Sequence, residues 1–126
     1  MRTTTSPLRM GSSMKRGEIY YANLSPAVGS EINKKRPVLI VSNDANNRAA
    51  STVTVLPITS NITNIYPFEI KLTRADSGLP KDSKAQAQQI RTLSKERIPD
   101  GAIGKLGAAK MRLVEAAIRL HLGLNG

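Results

Sequence analysis

Cysteine and tryptophan are absent from this 126-residue chain, and histidine occurs once. Without cysteine there is no disulfide framework, thiol nucleophile or thiolate zinc site. A single histidine excludes a histidine-pair metal site and leaves little room for histidine acid–base chemistry. Acidic residues are scarce: nine Asp and Glu stand against nineteen Lys and Arg, a net charge of +10. Long apolar runs are also missing. Pro37 to Val41 and Val53 to Ile58 fall far short of the ~18 residues that a membrane span needs. The expectation is a soluble, cytoplasmic chain with no membrane partner, and the lack of cysteine suits a reducing compartment.

What remains fits one domain, able to bury roughly two thirds of its unfolded surface without staples. Residues 1–13 (MRTTTSPLRMGSS) have neither the apolar stretch nor the cleavage site of a secretory signal. They are expected to be a disordered extension, either a cloning remnant or the result of a start codon placed too early. The single domain is expected over 14–126, opening at Met14. With Arg2 and Arg9 set aside, seventeen basic residues against nine acidic ones still give a net +8, so the basic character belongs to the domain.

Short β-type runs recur between turn signals: Glu18 to Asn23, Arg36 to Ser42, Val53 to Ile58, Pro67 to Leu72 and Ser83 to Thr92. Such spacing predicts a compact sheet or small barrel. Val38 to Val41 is apolar at every position, which predicts a strand covered on both faces at the centre of the sheet. Ala108 to Leu122 places Met111, Val114, Ala117, Ile118, His121 and Leu122 at helical spacing, an amphipathic helix packed on the sheet in an α+β fold. His121 reads as a structural residue near the helix end. Gly101, Gly104 and Gly107 read as turn glycines, because Leu106 stands where a phosphate loop needs Ser or Thr. The carboxylates, including Glu69, show no metal-ligand spacing, and no metal or cofactor is expected.

The basic run Lys34-Lys35-Arg36 ends a polar loop containing Ser30 and Glu31, and leads directly into the apolar strand. A charge run is often only a solvated face. Arg36, however, sits at the loop-to-strand junction, where the sheet would fix its guanidinium, and a fixed fork of donors suits phosphate. Thr59 and Ser60 follow another strand, while Gln86, Gln88, Gln89 and Arg91 crowd a further one. Buried amides are costly unless paired, so this polar face reads as a ligand surface.

In these segments the chain resembles the MazF/PemK family of toxin endoribonucleases from type II toxin-antitoxin modules. Lys15 to Tyr20, Gly29 to Glu31, Arg36 to Asp44, Pro57 to Ser60, Asp82-Ser83 and Gln89 to Leu93 occur in family order and spacing, within about Met14 to Leu122. The resemblance implies a small SH3-like barrel of the MazF/CcdB type, with short, mostly antiparallel strands and a C-terminal helix. It implies a homodimer that cleaves single-stranded RNA at short sequences without a metal, and an antitoxin partner with a flexible acidic tail; DNA is met only through the antitoxin complex. By position, Arg36 and Thr59 match the family's catalytic pair, while Ser30, Glu31 and Gln89 match residues lining the RNA groove. Some relatives carry an acid where Gln88 stands and an Arg where Gln86 stands. Lys34, Lys35, Ser60, Gln86, Gln88 and Arg91 complete the expected RNA contacts.

In such a reaction the RNA 2′-OH attacks the neighbouring phosphorus. Arg36 would steady the charged phosphorane and Thr59 would donate to a non-bridging oxygen. Glu31, the carboxylate nearest the motif, is the candidate base, and the proton-transfer roles stay open. Two other readings remain: a non-catalytic SH3-like nucleic-acid-binding module, and a gyrase-blocking toxin of the CcdB type, whose family relies on a C-terminal Trp that this chain lacks.

Overall fold

The computed structural model describes residues 13–31 and 34–125. The extension expected over 1–13 therefore lies, apart from Ser13, outside the described residues. The chain runs β1 (Glu18–Asn23), β2 (Lys35–Ile40), α1 (Asp44–Ala49), β3 (Thr52–Thr59), β4 (Glu69–Leu72), α2 (Arg74–Ser77), β5 (Ser83–Gln86), β6 (Arg91–Ser94), β7 (Gly104–Lys105) and α3 (Ala108–Leu122). The strands form one sheet in the order β4-β5-β3-β2-β1-β7, with β6 also on β3, and every pairing is antiparallel.

The sheet curls into a half-barrel because β3 serves three neighbours. Its first half, Thr52 to Val55, pairs with β6, its end, Ile58 and Thr59, pairs with β5, and its other edge holds β2. Side chains alternate between faces along each strand, which divides the core in two. One face buries Ile19, Leu39, Leu56, Ile58, Ile70 and Leu72 against Met111, Val114 and Ala117 of α3. The other gathers Tyr20, Ala22, Val38, Ile40, Val53, Val55 and Leu93, with Met14 packed against it. Val38, Leu39 and Ile40 are all 0% exposed, although they point alternately to the two faces. This covering on both sides accounts for the unbroken apolar run of β2.

Two expected elements differ from those observed. The single run Ser83 to Thr92 is broken by a 3₁₀ turn at Ala87–Gln89. There the Ala87 N–H bonds Phe68 O at 3.1 Å and the Ile90 N–H bonds Ala87 O at 3.1 Å, so the chain leaves one end of β3 and rejoins it at the other. In α3 the buried face stops at Ala117. His121 is exposed, with its ring centroid 6.1 Å from that of Phe68, and Leu122 is half exposed.

Gly104 does more than mark a turn. A Cβ there would meet Ser77 O at 2.2 Å and Ser77 C at 3.0 Å, both backbone atoms, whereas a Cβ at Gly101 meets nothing within 4 Å. Backbone cannot rotate aside as a side chain can, so Gly104→Ala is expected to cost about 1–3 kcal/mol by forcing β7 away from α2. Gly101→Ala is the control, expected to leave stability nearly unchanged in the same denaturant titration. Equal stability in the two variants would contradict the close approach.

Candidate nucleic-acid interface

Arg36, on β2, pairs with the fully buried Ala22 of β1. The register of β2 on β3 is Val38 with Pro57, and carried two residues further it sets Arg36 across from Thr59. Thr59 pairs in turn with Lys84 of β5, and Arg91 of β6 pairs with Val55. Directly opposed residues share a face. Arg36, Thr59, Lys84 and Arg91 therefore all stand on the face that carries Val38 and Val55.

The loop leading into Arg36 is tied at its base. The Leu24 N–H donates to Lys34 O at 2.9 Å, the Lys34 N–H donates to Ser25 Oγ at 2.8 Å, and Arg97 Nη1 donates to Ser25 O at 2.6 Å. These bonds hold Lys34 at φ +70°, a conformation that L-residues adopt at a cost of about 1–2 kcal/mol. Glu31 accepts from the Val28 N–H at 2.7 Å and so braces its own loop. The peptide before Pro26 is cis.

The predicted site residues fall into three groups. Arg36 and Ser60 line one hollow of about 140 Å³, with Tyr21, Pro37, Ile58 and Lys81 among its walls. Thr59 does not line this hollow; its hydroxyl accepts from the Asn61 N–H at 3.2 Å. Ser30, Glu31, Gln88, Gln89 and Arg91 line a second, wider groove of about 390 Å³ with Ile90. Gln89 Nε2 donates to Ser30 O at 3.4 Å and Arg91 Nη1 to Leu24 O at 3.4 Å. No residue lines both hollows, so Glu31, the candidate base, is grouped with the amides and not with Arg36. Lys34 and Lys35 are exposed; Lys35 Nζ lies 3.7 Å from Asp100 and 5.9 Å from the Tyr21 ring centroid.

Gln86 belongs to the third group, whose centre is a residue that sequence reasoning passed over. Glu69 is buried on β4, opposite Gln86 in register. Its Oε1 accepts from Lys84 Nζ at 2.9 Å and from the Tyr66 N–H at 3.0 Å. Its Oε2 accepts from Gln86 Nε2 at 3.0 Å and Gln88 Nε2 at 2.6 Å. Burial pushes this carboxyl upward, but the donors from Tyr66, Lys84, Gln88 and Gln86 outweigh it and hold it down at about 2. The available signal was the alternation of Glu69 with Lys71 and of Lys84 with Gln86 along two runs, but it needs the β4–β5 register to be read.

Among the described residues no helix is long and apolar enough to cross a membrane. The described residues define a small antiparallel half-barrel backed by a C-terminal helix, with Arg36, Thr59, Lys84 and Arg91 on one sheet face. Residues 15–122 match the model of the PemK-like, MazF-like toxins of type II toxin-antitoxin systems, and the chain belongs to this family. Endoribonuclease MazF9 of Mycobacterium tuberculosis is 45% identical over 116 residues, spanning 88% of this chain and 98% of that protein. Endoribonuclease MazF of Staphylococcus saprophyticus is 40% identical over 113 residues, spanning 89% and 93%. A solved mycobacterial endoribonuclease in complex with its cognate antitoxin is similar at TM-score 0.70 and 27% identity, over 90% of this chain and 97% of that one. The enzyme class of this chain is endoribonuclease.

Proposed function

We propose that this toxin cuts single-stranded RNA at short preferred sequences by using the substrate's own 2′-OH as nucleophile, without a metal ion. The bond formed is 2′-oxygen to phosphorus and the bond broken is phosphorus to the 5′-oxygen, so the products are a 2′,3′-cyclic phosphate and a 5′-OH. Arg36 steadies the charge of the phosphorane, a task in which one preorganised donor typically contributes ~10²- to 10³-fold. Thr59 donates to a non-bridging oxygen. Glu31 is the candidate base, reached through the loop that it braces. Ser30, Lys34, Lys35, Ser60, Gln86, Gln88, Gln89 and Arg91 bind and orient the strand.

The single observation that supports this reading is the antiparallel register of β2 on β3, Val38 with Pro57, which continued by two residues runs from Arg36 to Thr59 on a shared face. A guanidinium and a hydroxyl so held suit a pentacovalent phosphate, and the net +10 chain suits a polyanion. The working form is a homodimer. Its partner is a cognate antitoxin, as in the mycobacterial complex, whose acidic tail would pair with Lys34, Lys35 and Arg36. DNA contact comes only through that complex.

The test is a long single-stranded RNA incubated with the purified chain in EDTA, with the cut sites mapped. Cutting at a small set of recurring sequences is expected to persist. Cutting that stops in EDTA and returns only with added Mg²⁺ would contradict the metal-free reading.

A further inference from the structure

β6 pairs with β3, and β1 pairs with β2 and β7, so among the described residues no backbone ladder joins β6 to β1. Two arginine side chains span that gap. Arg97 Nη1 donates to Asn23 O at 3.0 Å and to Ser25 O at 2.6 Å, and Arg91 Nη1 donates to Leu24 O at 3.4 Å. Three successive carbonyls at the end of β1 are thus held by cations from the far side. Arg97 is itself well anchored. It closes the 3₁₀ turn Lys95–Arg97, the Lys95 N–H donates to Ser51 O at 3.0 Å, and the next residue, Ile98, is buried in the same core as Ala22 and Leu24. Hydrogen bonds from a charged donor are stronger than neutral ones, and a guanidinium offers its hydrogens in a fixed plane.

The two residues that Arg97 holds are the ones that set the approach to Arg36. Asn23 pairs with Lys35 in the β1–β2 register, and Ser25 Oγ accepts from the Lys34 N–H at 2.8 Å. Lys34 and Lys35 are the last two residues before Arg36, and Lys34 stands at φ +70°, a conformation that few residues other than glycine adopt. The ladder of β2 with β3 covers Val38 to Ile40, whereas Lys35 to Pro37 are laddered on the β1 side, so the end of β1 decides where this stretch lies. Resting on the RNA-cleaving reading, we propose that Arg97 is a positioning residue for cleavage: through Asn23 and Ser25 it fixes the backbone of Lys34 and Lys35, and so the direction in which Arg36 leaves β2. It does so without touching the substrate. A reacting group displaced by about 1 Å can cost ~10²-fold in rate, so a tie at this distance has room to act on the chemistry.

The experiment uses the full chain and a single-stranded oligonucleotide with one mapped cut site. It reads two quantities: the single-turnover rate at saturating enzyme, and the affinity for the same strand made 2′-deoxy at that site. Arg97→Met keeps the reach of the side chain and removes its donors. The rate is expected to fall at least about tenfold while affinity changes by less than about threefold. An unchanged rate in the folded variant would leave Arg97 a structural tie and overturn the proposal. A loss confined to affinity would make it a phosphate contact and overturn the proposal as well. The same substitution in an Arg36→Ala chain separates a residue that acts through Arg36 from an independent one: the loss there should shrink to less than about threefold, because the two effects are coupled and not additive. A loss as large as in the unmodified chain would overturn the proposal. Ser25→Ala removes the acceptor of the Lys34 N–H and leaves Arg97 in place, and it should also lower the rate. If Arg97→Met does not fold, an unchanged rate in Ser25→Ala overturns the proposal alone. An unmodified chain that cuts no RNA would overturn the nuclease reading itself, a distinct result.

Discussion

Arg36→Ala is expected to lower the single-turnover cleavage rate at least ~10²-fold, the loss of one preorganised donor in the phosphorane-stabilising role proposed for it. The expectation rests on placement. Arg36 is half-buried and paired with Ala22 in the β1–β2 ladder, two residues before Val38, which pairs with Pro57, two residues before Thr59. Arg36→Lys should recover little of the rate, since an ammonium cannot reproduce the planar fork. Lys34→Ala is the contrast. Its side chain is exposed on a loop, so its loss should weaken affinity and flatten the salt dependence while leaving the rate at saturating RNA largely intact. Rapid-quench kinetics at saturating enzyme separate the two effects. Losses confined to affinity in both variants would make Arg36 an ordinary phosphate contact.

Glu69→Ala should destabilise the fold by about 3–5 kcal/mol, the usual cost of leaving one member of a buried ion pair alone, and lower the melting temperature by roughly 10 °C or more. Lys84 would keep its 2.6 Å bond to Asn64 O but lose its counter-charge, and Gln86 and Gln88 would lose their common anchor. The paired change Glu69→Met with Lys84→Met should cost less than Glu69→Ala alone, because no uncompensated charge remains buried. The same group makes a pH statement. The folded carboxyl is held at about 2 against an ordinary 4.5, so its contribution is fully present above pH 4.5 and is lost as pH falls from there through about 2. Acid titration of the unmodified chain and of the double variant should diverge in that window and nowhere above it. A double variant with the same acid profile as the unmodified chain would contradict this role for Glu69.

Much of the fold could be read from local pattern because local physics decides it. β1 was legible to the residue as a β-type run, Glu18 to Asn23, between turn signals, and α3 from its helical period after Gly107. β2 announced its central place by the apolar run that begins at Val38. The break at Ala87–Gln89 was not legible, since a run of polar and small residues satisfies a strand as well as a turn until the bond from Ala87 to Phe68 O is known. Arg36 was legible as a residue of a strand entered from a basic loop, because that junction is a local feature. Gln86 and Gln88 were legible only as amides needing partners. Their partner Glu69 lies 17 and 19 residues away in the chain, and only the pairing of β4 with β5 brings it to them. Glu69 itself resembled any solvated carboxylate in an alternating run.

The central claim is that the substrate supplies its own nucleophile, and a single atom tests it. An oligoribonucleotide with one mapped cut site is made with a single 2′-deoxy nucleotide immediately 5′ of the scissile phosphate, all other riboses unchanged, and incubated with the chain in EDTA beside the all-ribo parent. The parent should yield a 2′,3′-cyclic phosphate and a 5′-OH, resolved by mass, while the deoxy strand binds with comparable affinity and is not cut at that bond. Cleavage of the deoxy strand at the same bond and rate would mean that water or a protein group attacks the phosphorus, and would contradict the roles of Arg36 and Thr59 as stabilisers of a phosphorane formed by the 2′-oxygen.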